Sequence, residues 1–75
     1  MTPTLVVFND IFNSLYYINT NRIEYVMFIP IQNAINKERI CCRCGEGLID
    51  TTVYDSTATM LKKRLNQFVP TLIGE

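Results

Sequence analysis

Seventy-five residues make one domain near the lower size limit for an independent core: a chain this short buries only about 60–65% of its unfolded surface and leans on a staple or a partner. Seven basic and seven acidic residues cancel, which removes the positive field that duplex nucleic acid and anionic lipid demand of a principal binder. A hydrophobic share of 48% excludes a wholly disordered chain.

The opening Met1-Thr2-Pro3-Thr4 carries no basic residue and the apolar run behind it, Leu5 to Phe8, is short, so no secretory signal is expected. Leu5-Val6-Val7-Phe8 reads as a first strand broken by Asn9-Asp10, and Asn13-Ser14 supplies turn chemistry. Leu15-Tyr16-Tyr17-Ile18 and Ile23 to Ile29 are two β-branched and aromatic runs separated by Asn19-Thr20-Asn21, which predicts a hairpin over Leu15 to Ile31. With the first strand it makes a meander, because each connection is short. Alternation puts Ile23, Tyr25, Met27 and Ile29 on one face of the long strand and leaves Val26 and Phe28 on the other. The first set is expected under a helix. Val26 and Phe28 are then left for a second protomer or another partner.

Tyr25 to Ile31 is the most apolar continuous stretch, yet far too short to span a bilayer and interrupted by Pro30. Membrane insertion is not expected, and the cytoplasm (the host's, for a viral chain) is the expected compartment. Gln32 to Arg39 is a polar interval compatible with one helical turn or a loop. Ile40 to Cys44 resumes strand character, Gly45-Glu46-Gly47 marks a turn, and Leu48 to Tyr54 continues as a strand. Its alternation is clean, with Ile49, Thr51 and Val53 on one face and Leu48, Asp50, Thr52 and Tyr54 on the other. Asp55 or Ser56 suits a helix N-cap, and Ala58, Leu61, Leu65 and Phe68 form one apolar stripe over a helix of about 57–68, with a loose tail over 70–75. The expected fold is α+β: an antiparallel sheet of about five strands in two hairpins, with one C-terminal amphipathic helix packed on one face.

Tyr17-Ile18-Asn19, then Ile23-Glu24-Tyr25-Val26, a later glycine-bearing hairpin and a capped C-terminal helix together resemble the small FlbD-type proteins, short bacterial chains associated with flagellar gene clusters. Uncharacterised phage proteins share this layout. The resemblance covers about Leu5 to Asn66 and departs at the cysteine cluster and at the polar insert before Ile40. It implies the same strand-then-helix architecture and, as one alternative, an accessory flagellar role. It carries over no catalytic motif.

Cys41, Cys42 and Cys44 are odd in number and crowded, unlike a secreted disulfide framework. Cys41 and Cys44 have CxxC spacing, but a structural zinc site takes four ligands and the chain has no histidine. Zinc is therefore reached only in trans, through Cys41 and Cys44 of two copies. The plainer alternative is cysteine acting as a small core residue. Gly45-Glu46-Gly47 leads into a strand rather than a helix N-terminus, so it reads as a turn and not a phosphate loop. Lys62-Lys63-Arg64 reads first as a solvated helix face. Without histidine the usual general base is missing, and Asp10, Glu24, Glu38, Glu46, Asp50 and Asp55 are dispersed. No enzyme activity is expected. Tyr25 and Tyr54 offer stacking faces, and Arg22, Arg39 and Arg43 offer planar donors, a set suited to a small anionic, nucleotide-like ligand or to a protein contact. The sequence thus predicts a non-enzymatic, homo-oligomeric binding protein without a required cofactor. A phage-type inhibitor that blocks a host or defence protein, or that sequesters a small ligand, falls within this class. A zinc-stabilised regulatory module is the alternative.

Overall fold

The computed structural model describes residues 5–66 and 73–74, the last two by backbone alone. In chain order come β1 (Leu5–Asn9), β2 (Leu15–Asn19), a 3₁₀ turn (Thr20–Arg22), β3 (Ile23–Ile31), β4 (Ala34–Cys44), β5 (Gly47–Tyr54), α1 (Asp55–Leu65) and β6 (Ile73–Gly74). The α+β class with antiparallel pairing and a C-terminal helix is as expected. The single five-stranded sheet is not. Among the described residues β1 and β2 pair only with each other, as a separate two-stranded ribbon, while the larger sheet runs β5-β4-β3-β6.

The hairpin expected over Leu15 to Ile31 is therefore absent. Asn19 accepts the Asn21 amide through its side chain at 3.0 Å, an Asx turn that opens a 3₁₀ turn instead of closing a hairpin. The chain leaves the ribbon there and enters the other sheet. β1 instead turns back on β2 through Ile11-Phe12-Asn13, with Asn13 at φ 69° and the Asp10 amide donating to the Ser14 carbonyl at 3.1 Å. That is a three-residue loop ending in a left-handed residue, a common hairpin solution. β3 finds its partner on its other side. The polar interval after Pro30 is a turn at Gln32 and Asn33, the latter at φ 69°, followed by strand from Ala34 onward. Polar side chains at Asn36, Lys37, Glu38 and Arg39 hid that strand.

One of the two irregularities in the β3–β4 register, the one between Ile23 and Tyr25, decides which side chains face the core. Ile23 pairs with Cys44 and Tyr25 with Arg43, so Glu24 is an extra residue, a bulge. A bulge reverses the facing of everything on one side of it relative to strict alternation. Ile23 accordingly packs beside the core, while Tyr25, Met27 and Ile29 point outward. Val26 and Phe28, each 1% exposed, point inward. The expectation for this strand is thus inverted: Val26 and Phe28 are the protomer's own core and are not available to another copy.

The core unites all layers. Val6, Phe8 and Ile18 come from the ribbon, Val26, Phe28, Ile40, Cys42 and Val53 from the sheet, and Ala58, Leu61 and Leu65 from the helix. The helix stripe follows the expected spacing, although α1 begins at Asp55 and its N-cap, Tyr54, makes no side-chain cap bond. Asp55 instead adds a negative charge to the first turn, and Lys62, Lys63 and Arg64 occupy the last, each favourable to the helix dipole. The Phe68 position and most of the expected tail lie outside the described residues. Ile73–Gly74, within that tail, adds a short parallel strand beside Met27 and Phe28.

Candidate functional site

β4 lies between β5 and β3 in the larger sheet, and its period-two alternation sorts the candidate residues. Ile40, Cys42 and Cys44 face the core side, while Arg39, Cys41 and Arg43 face out. Register with the neighbours then builds an outer face in rows. Tyr25, Arg43 and Leu48 form one row, Met27, Cys41 and Asp50 the next, and Ile29, Arg39 and Thr52 the third, with Lys37 and Tyr54 beyond.

This arrangement brings Tyr25, Arg43 and Arg39 to one face, with Tyr54 at its far end. Arg43 lies four steps along the strand from Arg39, roughly 13 Å at the usual rise. Arg39 is already engaged: its Nε and one terminal nitrogen donate to the two Asp50 oxygens at 2.8 and 2.7 Å. That bidentate geometry raises the Arg39 pKa through the hydrogen bonds and charge of Asp50, and lowers the Asp50 carboxyl through the same bonds. Arg43 is held loosely by contrast, with Glu24 on the bulge at 3.8 Å. Arg22 stands apart, in the 3₁₀ turn. Its carbonyl accepts the Gly45 amide at 2.9 Å, and its Cδ lies 3.2 Å from where a Gly45 side chain would begin. The five predicted contact residues are therefore two adjacent on one face, Tyr25 and Arg43, a third, Arg39, farther along that face, Tyr54 at its edge and Arg22 in a structural turn.

The cysteines do not converge. Cys41 faces out and half-buried, Cys42 is fully buried, and the Cys44 thiol donates to the Asn19 carbonyl at 3.2 Å. Burial pushes the Cys42 thiol up to about 12, with Cys44 and Cys41 adding to the shift. It behaves as a small core residue. Cys41 and Cys44, the pair considered for zinc, leave β4 on opposite faces, and among the described residues no group of three or more Cys, Asp or Glu side chains is gathered as a metal site would need.

Beside the helix, Lys62 sits 3.1 Å from Glu38 and 5.3 Å above the Phe28 ring. They border an open depression of about 340 Å³ lined by Pro30, Ile31, Ala34, Ile35, Lys37, Glu38, Asp55 and Lys62. Its charges are balanced and none of the predicted contact residues lines it.

A second exposed surface lies on the β1–β2 ribbon. The outward positions of the ribbon are Leu5, Val7 and Asn9 of β1 and Leu15, Tyr17 and Asn19 of β2; Leu5, Val7, Leu15 and Tyr17 are exposed by 53, 41, 51 and 58%, with Phe12 at 73% in the turn. Val7 and Tyr17 are direct cross-strand partners. The ribbon is held firmly at both ends. Asp10, only 6% exposed, accepts the Phe12 and Ser14 amides at 2.9 Å each and the Thr51 hydroxyl of β5 at 2.8 Å, and the Ile11 amide donates to the Thr52 carbonyl at 3.0 Å. Burial raises the Asp10 carboxyl, but these hydrogen bonds and one from Tyr16 outweigh it and hold the pKa below its usual 3.8. Cys44 and Asn19 fasten the other end. A readable signal did exist: between Leu5 and Asn21 the only charged residue is Asp10.

No protein-family model, curated protein or solved structure matches the chain. Among the described residues no helix is long and apolar enough to cross a membrane.

Proposed function

We propose that the chain is a non-enzymatic, homo-oligomeric binding protein that acts by occupying the surface of a protein partner. The observation carrying this reading is the outer face of the sheet, where Tyr25 and Arg43 stand side by side on neighbouring strands with Met27 and Ile29 below them. Aromatic rings and guanidinium groups flanked by apolar side chains are the usual anchors of protein contacts. The face is a sheet surface, whereas small-molecule sites are concave. A protein therefore suits it better than a small anionic ligand, particularly as Arg39 is committed to Asp50. A phage-type inhibitor blocking a host or defence protein belongs to this class of action, which requires a complementary surface and no chemistry.

Native mass spectrometry of the protein taken directly from its producing cells tests the reading. The expected result is an oligomer of the chain carrying a second protein, which the combined Tyr25→Ala and Arg43→Glu variant loses while its own oligomer persists. A retained small anion in place of a protein would overturn the choice of partner. A bare monomer would overturn the whole reading.

A further inference from the structure

Building on the homo-oligomeric reading above, we propose that the outer face of the β1–β2 ribbon is the surface on which a second copy of this chain docks, ribbon against ribbon. The charge distribution selects the occupant. Seven basic and seven acidic residues are present, yet Asp10 alone precedes Arg22, and Asp10 is turned inward onto Thr51. Among the described residues the ribbon's outer face therefore carries no charge. Charged side chains of a partner pressed against it would lose their water without gaining a counter-charge. This chain's own sheet face bears Arg39, Arg43, Asp50 and Glu24, so docking ribbon on sheet incurs that cost. A twofold pairing of ribbons sets uncharged surface on uncharged surface.

Size agrees with this choice. The fractional exposures of Leu5, Val7, Phe12, Leu15 and Tyr17 correspond to roughly 600 Å², at the upper end of the largest patch on an ordinary monomer. Two such faces closing fully on each other, with Phe12 included, remove at most roughly 1,200 Å² from water, where standard specific interfaces begin. Among the described residues neither ribbon strand has a further strand beside it, and neither carries the lysine or proline that ordinarily guards an open edge. Because Asp10, Ile11 and Cys44 hold the ribbon to the rest of the fold, the face is already ordered before docking, which lowers the cost of association.

Sedimentation equilibrium of the full chain from about 1 to 100 µM tests the proposal, with three variants alongside. The wild type is expected to sediment as a dimer. Val7→Lys with Tyr17→Lys, and separately the milder Leu15→Gln, should raise the dissociation constant, the lysine pair by at least thirtyfold, roughly the loss of one hot-spot residue. Circular dichroism identifies any variant that fails to fold, and Leu15→Gln then carries the comparison. Met27→Lys with Ile29→Lys, on the sheet face, should leave the dimer unchanged. If the wild type associates and only the sheet-face variant dissociates it, the ribbon assignment is overturned while the oligomeric reading stands. A wild-type monomer throughout the range overturns both.

Discussion

The ribbon and the larger sheet follow the same rule of alternation and end with opposite surfaces. In both, one face joins the common core, through Val6, Phe8 and Ile18 in the ribbon and through Val26, Phe28, Ile40, Cys42 and Val53 in the sheet. The outer face of the sheet is threaded with charge, Arg39 locked to Asp50 and Arg43 near Glu24. Among the described residues the ribbon's outer face bears none: it is apolar at Leu5, Val7, Leu15 and Tyr17 and neutral polar at Asn9 and Asn19. A polar outer face tells the chain which side of a strand belongs inside; where both faces are apolar, cross-strand partners and bulges decide. The ribbon's second apolar face survives folding because nothing within the described residues covers it, so it stands as the surface most in need of a partner.

The largest expected effect comes from treating the two apolar strand faces alike. Phe28→Ala should cost about 3–5 kcal/mol by chemical denaturation, a large part of the roughly 4–11 kcal/mol that sustains a chain of this size. Tyr17→Ala should cost far less and act on the molecular mass in solution instead. Equal losses of stability from both would erase the distinction between core and exposed apolar faces.

Gly45→Ala comes next. Gly45 sits at φ 64° and a new Cβ would meet the Arg22 side chain at 3.2 Å, so about 1–2 kcal/mol should be lost. The thermal midpoint reports it, and an added Arg22→Ala should recover only the contact part.

Asp10 should make the fastening of the ribbon acid-sensitive. Its folded pKa is depressed, so the stability that it contributes is fully present above the unfolded value near 3.8 and is lost as pH falls through the lower folded value. Amide hydrogen exchange at Phe12 and Ser14 should accelerate in that acid window. Asp10→Asn should flatten the pH dependence at those two amides and leave the β3–β4 pairing unchanged.

The smallest effect belongs to the exposed ion pair. Asp50→Asn should hardly move the thermal midpoint, because Arg39 and Asp50 are half in solvent. It should release the Arg39 guanidinium, visible as a shifted Nε resonance.

What the sequence made legible follows from how local each signal is. The β4–β5 hairpin was readable because Gly45 supplies the left-handed φ and β5 alternates cleanly. The helix was readable through Ala58, Leu61 and Leu65. The pairing of β2 with β1 rather than β3 was not, since Asn19-Thr20-Asn21 suits a hairpin and a 3₁₀ turn equally well. Nor was the facing of β3: the bulge at Glu24 is a property of register with β4, invisible in β3 itself. That one residue moved Val26 and Phe28 from expected interface to core. Of the candidate contact residues, Tyr25, Arg39 and Arg43 share a face, but only the structure shows that Arg39 is already spent.

An isotope-filtered NOE experiment on an equal mixture of labelled and unlabelled wild-type chains bears most directly on the proposal that two copies meet through their ribbons. Contacts between copies should run from Leu15 and Tyr17 of one to Leu5, Val7 and Tyr17 of the other. Intermolecular contacts from Tyr25, Met27 and Ile29 instead, or none at concentrations near 100 µM, would contradict the ribbon as the meeting surface.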